Sequence, residues 1–177
     1  MAITAAGLED YDPAARPVPA LTPAELTARV GQEIGVTDWI DITQSQVDAF
    51  GVATHDMNYI HVNPERTRAD TPLPGTIAHG FLTLSLVSQM GYQVMPMVKG
   101  AVGGLNYGID KARFTAPVPV GSRLRGRLTL ADVQPRGTSG LVIAYDVVVE
   151  LEGQEVADGG RPVLTARWLT HVTLGGV

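Results

Sequence analysis

The chain contains no cysteine, so disulfides, thiolate nucleophiles and Cys-based zinc or iron–sulfur sites are excluded. No stretch approaches the ~20 uninterrupted apolar residues that a membrane-spanning helix needs, so a soluble protein without a membrane partner is expected. Cations are few and scattered: 13 Lys+Arg against 18 Asp+Glu leave a net charge of −5. Without a Lys/Arg-rich stripe there is little to hold a nucleic-acid backbone. Where a secretory signal would carry basic residues and then an apolar run, the chain has Glu9, Asp10 and Asp12, so a cytoplasmic location is expected. A Gly-x-Ser-x-Gly elbow, an internal repeat and a low-complexity tract are also missing, which sets aside a serine hydrolase and a repeat architecture. What remains is 177 residues, 45% apolar and 18% charged, ordinary values for one globular domain.

Residues 1–21 are rich in Ala and Pro without periodicity and read as an extended N-terminal arm; residues 22–177 read as a single domain. Thr22-Pro23-Ala24-Glu25 is a capping box with Pro at the first helical position, and it predicts a short helix over 23–30. The β-branched run 36–42 predicts a strand. Thr43-Gln44-Ser45-Gln46 is a second capping box, opening a helix that ends near Thr54. Residues 55–62 then read as a loop, and Asn63-Pro64 opens another short helix. Over 77–94 apolar residues leave almost no continuous polar face, which predicts a central helix buried nearly all round. Beyond Gly100 the period changes to two, in runs near 103–115, 122–134, 141–151 and 162–174 separated by Gly- and Pro-rich turns. Helices first and antiparallel strands afterwards mean α+β.

Polar groups converge in one region, Thr54-His55-Asp56-Met57-Asn58-Tyr59-Ile60-His61-Val62-Asn63-Pro64 followed by Ile77-Ala78-His79-Gly80-Phe81-Leu82. Asp56 and His61 are close enough in sequence for both side chains to reach one water. A carboxylate and an imidazole that titrates near neutrality suit water activation and proton delivery. Gly80 falls at the start of the buried helix, where an unpaired N–H can polarise a carbonyl oxygen and a missing side chain permits close approach.

These two segments resemble the MaoC-like dehydratases, the (R)-specific enoyl-CoA hydratases, whose signature is a Thr-Gly-Asp-x-Asn-x-Ile-His loop followed by Ile-x-His-Gly-Met-Leu. The likeness is strong over residues 46–88. It extends more loosely through Asn106-Tyr107-Gly108 and Phe114-x-x-Pro117-Val118 with Gly121, and it does not cover the arm. The resemblance implies the hotdog fold, a long antiparallel β-sheet wrapped around a central apolar α-helix, where periodicity alone leaves other α+β packings open. It also implies that Asp56 and His61 are the catalytic dyad, that Gly80 supplies the oxyanion N–H, and that Asn58 and Ser88 order the site. The implied reaction is syn addition of water to a trans-2-enoyl-CoA, or its reversal as a 3-hydroxyacyl-thioester dehydratase. The partner is then an acyl-CoA or an acyl-carrier-protein thioester, no cofactor is needed, and the protein is a homodimer.

Read singly, Asp56 is a helix-end residue and His61 a hydrogen-bonded loop histidine; together with His79-Gly80 they form a layout for chemistry. His79 reads as a partner that fixes the turn before the helix, with contact to substrate as the alternative. His55 stands where the signature has Gly, and Tyr59 where many relatives have Pro. His55 lies at the substrate side or points to solvent; in the second case His55→Gly should cost about 1 kcal/mol or less through glycine's unfolded-state freedom. Zinc held by His55, Asp56 and His61 is weighed against no metal, and no metal is expected. The cations from Arg123 to Arg127 read as a solvated sheet face, with a phosphate-binding role for a nucleotide-bearing thioester as the alternative. Ser85 is expected to bond backbone, as mid-helix serines do, and His171 to be a satisfied sheet residue. Two rival functions share the fold. A hotdog thioesterase draws its carboxylate from the central helix, which here contains no Asp or Glu. A non-catalytic acyl-CoA-binding module would be expected to lack one member of the dyad.

Overall fold

A computed structural model describes residues 18–175, so most of the expected arm lies outside the described residues. The first described element is β1 (Ala20–Leu21), which pairs in parallel with β4 (Met97–Val98). Helix α1 (Pro23–Thr27) is capped by the Thr22 box as expected. The strand expected over 36–42 is instead two, β2 (Glu33–Val36) and β3 (Ile40–Asp41), both paired antiparallel with one neighbour. The break has a local cause: Asp38 N–H donates to Gln93 Oε1 at 2.8 Å, and the Thr37 hydroxyl accepts from Gly126 N–H at 2.9 Å. Side chains thus satisfy backbone groups that a continuous ladder would have used.

Four long strands follow: β5 (Ala101–Phe114), β6 (Arg123–Arg136), β7 (Gly140–Leu151) and β8 (Leu164–Leu174). The six-stranded sheet runs β2-β6-β7-β8-β5, with β3 also on β6. The inner face carries Leu124, Leu128 and Leu130 from β6, Ile143, Tyr145, Val147 and Val149 from β7, and Leu164 and Trp168 from β8, all buried. Across it lies the central helix α5 (Gly80–Val94). Two glycines let helix and sheet meet: a Cβ on Gly91 would sit 2.5 Å from the Trp168 ring, and one on Gly126 would sit 2.9 Å from Met90 Sδ. This is the hotdog arrangement, α+β, as the resemblance implied.

Enclosure of α5 on every side is not what the structure shows. Leu82, Thr83, Val87, Met90 and Gly91 are buried, but Phe81 is 68% exposed. The reason lies in β5, which among the described residues pairs with β8 alone and leaves an apolar trench of about 470 Å³ between itself and α5.

The outer face answers the question of the cations. Arg125 and Arg127 both donate to Glu150, at 2.7 and 3.0 Å; Arg127 also reaches Glu33 at 2.8 Å, and Arg123 pairs with Glu152. Glu150 is fully buried beneath them and accepts Val156 N–H as well. The group is internally neutralised, which fits a structural sheet face rather than a phosphate site.

Candidate active site

The site is built from the end of one helix and the beginnings of two others. Helix α2 (Gln44–Thr54) starts at the Thr43 box, whose hydroxyl accepts Gln46 N–H while Gln46 Oε1 accepts Thr43 N–H at 2.8 Å. It ends at His55, which holds φ 61° and ψ 19°, the left-handed conformation common after a helix C-terminus. The segment expected as a loop over 55–62 is partly helical: Asn58 caps a short helix α3 (Tyr59–Val62), its Oδ1 accepting Ile60 N–H. His61 therefore sits on a helical turn rather than in a loop. Helix α4 (Pro64–Asp70) follows directly, with Asn63 as cap.

His61 is buried, and its Nδ1 lies 2.7 Å from the Ile77 carbonyl oxygen. A carbonyl can only accept, so Nδ1 carries the proton and the Nε2 lone pair is left for a substrate or water. Burial pushes the His61 pKa below its ordinary 6.5; the Ile77 hydrogen bond opposes this, the neighbouring His79 adds to it, and Asp56 opposes it. His79 is buried and stacks on His61 with ring centroids 3.8 Å apart. Its Nε2 lies 2.9 Å from the backbone carbonyl of Asp56, so Nε2 is the protonated nitrogen, and Nδ1 is buried without a partner among the described residues. Asp56 itself is exposed in the single chain.

Donor atoms of Asp56, His61 and His79 lie within 4.8 Å of one another. That spacing would also admit a metal ion, but one nitrogen of each histidine is held by a carbonyl and the rings are stacked at 27°. Their in-plane lone pairs therefore lie in two nearly parallel planes rather than converging on one point, a poor zinc geometry. His55, the other ligand considered, is outside this group.

Gly80 is the first residue of α5; its N-cap, His79, makes no side-chain capping bond. The first N–H groups of a helix have no intrahelical acceptor, so that of Gly80 is available. His61 and Gly80 open together into a cavity of about 410 Å³, walled by Ile77, Phe114, Ala116, Pro117, Val118 and Val163 among others. A Cβ on Gly80 would meet the Phe114 ring at 3.1 Å, so a side chain there would press on that ring.

The structure thus brings together Asp56, His61, His79 and Gly80. Asn58 contributes by capping the helix that carries His61. Ser88 is elsewhere: it lines the trench between α5 and β5, where Asn106 Nδ2 approaches its hydroxyl at 3.5 Å, and Asn106 Oδ1 accepts from Trp168 Nε1 at 3.2 Å. Ser85 donates to the Phe81 carbonyl at 2.7 Å, the backbone role expected of it. His55 lines neither the cavity nor the trench.

Two contributors went unread in the sequence. Gln44, inside the capping box, donates to the His61 carbonyl at 2.7 Å and accepts from the Thr76 hydroxyl at 2.6 Å, tying α2 to both halves of the site. Phe81 occupies the Met position of the signature; its ring meets that of Phe114 edge to face, at 5.7 Å and 64°. The capping box and the departure from Met are the signals that were available.

The family described as MaoC like domain matches residues 25–151. A nodulation protein N from Rhizobium leguminosarum bv. viciae is 49% identical over 152 residues, 86% of this chain and 91% of that protein. A 3-hydroxyacyl-thioester dehydratase Z from Mycobacterium tuberculosis is 45% identical over 130 residues, 73% of this chain and 85% of its own. Among solved structures, an (R)-hydratase from A. caviae involved in PHA biosynthesis superposes with TM-score 0.63 at 23% identity, covering 82% of this chain and 96% of that one. A monoamine oxidase regulatory protein from Archaeoglobus fulgius gives 0.70 at 21% identity, covering 90% and 100%.

The left-handed backbone at His55 reverses the expectation for its replacement. A side chain in that conformation costs roughly 1–2 kcal/mol, more than the unfolded-state freedom glycine adds, about 0.4–1 kcal/mol. His55→Gly is expected to leave stability unchanged or raise it by up to about 1 kcal/mol in urea denaturation. A clear loss would show that the imidazole makes a stabilising contact.

His61 gives a second prediction. Its folded pKa is depressed, so stability is level above the ordinary 6.5 and declines as pH falls through the folded value, because the unfolded chain binds the proton more readily. Thermal melts of the native protein and of His61→Gln across pH 8 to 5 should diverge only on the acid side.

Proposed function

The chain belongs to the MaoC-like domain family, and on that premise we propose that it is a hydro-lyase acting on 2-enoyl thioesters, an (R)-specific enoyl-CoA hydratase working through Asp56 and His61. The observation that carries this reading is the buried His61 with a free Nε2 lone pair, next to Asp56 and facing the same cavity as the Gly80 N–H. In the reaction the thioester oxygen accepts the Gly80 N–H, which draws electron density from the C2–C3 double bond. Asp56 accepts a hydrogen bond from a water and aims it at C3, and His61 Nε2 removes the second water proton as the C–O bond forms. The electron pair of the double bond passes to C2 and the thioester oxygen. The proton on His61 then returns to C2 from the same face, and the enolate collapses to the thioester. Both hydrogens of one water are accounted for, addition is syn, and the product is the (R)-3-hydroxyacyl thioester. Depressed basicity at His61 suits this role, since the ring is neutral and ready to accept at neutral pH. The absence of Asp or Glu from α5 leaves the thioesterase alternative without its carboxylate.

The thioester is carried by CoA or by an acyl-carrier protein; comparing the two forms of one enoyl group separates them. With crotonyl-CoA, Asp56→Asn and His61→Ala should lower kcat about 10²–10⁴-fold with the fold retained, the range for a positioned acid–base group. Chiral analysis should find the (R) alcohol. Near-native turnover in either variant, or an (S) product, would overturn the assignment.

The proposal includes a homodimer. Val102, Leu105, Tyr107 and Ile109 leave the edge strand β5 apolar and exposed in the single chain, with Leu105 at 73%. Long bare apolar edges of this kind are normally covered. Light scattering should give twice the chain mass; an active monomer would rule the pairing out.

A further inference from the structure

The cavity that contains His61 and Gly80 and the trench between α5 and β5 are separate spaces with one shared wall. Phe114 lines the first and not the second; Phe81 lines the second and not the first. Their rings touch edge to face at 5.7 Å. Behind them the trench continues past Leu84, Val87 and Ser88 to Trp168, which closes it over Gly91. Phe114 packs against the backbone of Gly80, the nearest ring atom 3.1 Å from where a Cβ would be. Phe81, on the first turn of the helix, is the more exposed of the two rings, 68% against 46% in the single chain.

We propose that the Phe81–Phe114 pair is a chain-length gate, with Phe81 as its moving leaf and the trench as the space for the distal part of a long acyl chain. The inference rests on the enoyl-thioester reading above. Continuity decides the occupant: the trench begins one aromatic ring away from the cavity that takes the reacting end, its walls are mostly apolar, and its volume of about 470 Å³ is comparable to the first. With the rings in contact, short enoyl groups are accommodated beside His61. A long chain enters the trench only by displacing Phe81, which forfeits the aromatic contact and lowers its efficiency. The signature's Met at this position is a flexible thioether that yields more easily than a phenyl ring. This chain is therefore set towards short acyl groups relative to one with Met.

The test compares four-carbon and twelve-carbon 2-enoyl-CoA in the native protein, Phe81→Met and Phe81→Ala. Each variant's four-carbon turnover serves as its internal reference. The twelve-to-four ratio of kcat/KM should rise at least about tenfold in Phe81→Ala, the scale of a pocket altered by more than one methylene, with Phe81→Met in between. In parallel, calorimetric titration with saturated butanoyl-CoA and dodecanoyl-CoA reads the same selectivity as a ratio of Kd values without any turnover. A rise in the kcat/KM ratio together with a fall in the twelve-to-four Kd ratio supports the gate. Unchanged ratios with four-carbon turnover intact overturn it while leaving the hydratase reading standing, and this is also the result if the trench is filled by a second copy of the chain. Failure of the native protein to bind or turn over any acyl-CoA overturns the two together. Phe81 is exposed, so neither substitution should lower the melting temperature appreciably, and melts of the variants check this.

Discussion

The Nε2–H of His79 donates to the carbonyl of Asp56 at 2.9 Å, and the same ring stacks on His61 at 3.8 Å. One imidazole thus joins three segments: the end of α2, the turn α3, and the first residue of the central helix. Its backbone belongs to the N-cap of α5, so the direction of the helix axis, the exposed amide of Gly80 and the position of the Asp56 loop are not independent. Phe50 packs on the other side at 5.1 Å, and the glycine at 51 leaves room for ring and loop, a Cβ there coming within 3.0 Å of the Asp56 carbonyl oxygen. His79, held by the Asp56 carbonyl and by stacking, stands between the proposed base and the proposed oxyanion donor, the kind of preorganisation that electrostatic catalysis depends on.

Elsewhere the same economy separates packing from chemistry. The charges of the outer sheet face neutralise one another, with Glu150 under Arg125 and Arg127. Gln44 and Thr76 hold the His61 backbone from behind. These are neutral groups, which fix position without adding charge beside His61.

What was legible in the sequence was local. Both capping boxes, the Asn63-Pro64 helix start and the Gly80 boundary are short-range chemistry, and all appear where expected. Period-two alternation located the four long strands to within two residues at each boundary. Two features could not be read because they depend on distant partners. The 36–42 run breaks because Gln93 takes the Asp38 amide. The apolar helix keeps an open side because β5 joins β8 rather than the neighbour that follows it in the chain. For His55 the sequence leaves substrate side and solvent open; its left-handed backbone at the end of α2 shows why a glycine suits this position. The site was legible to the extent that it lies in contiguous segments. Asp56, His61, His79 and Gly80 meet, whereas Ser88, placed by resemblance alone, faces the trench.

The strand order has a consequence for how the molecule comes into being. β5 pairs with β8 alone among the described strands, yet β6 and β7 are synthesised between them. While β6 and β7 can zip together as a hairpin as soon as both have left the ribosome, β5 must wait, apolar and without a ladder, until β8 emerges to fill the gap between it and β7. Such long-range closure is slow, because the intervening chain must be ordered before the contact rewards it. For that interval the nascent protein presents an unpaired strand containing Val102, Leu105 and Ile109, the kind of surface that chaperones bind and that aggregates when they are scarce.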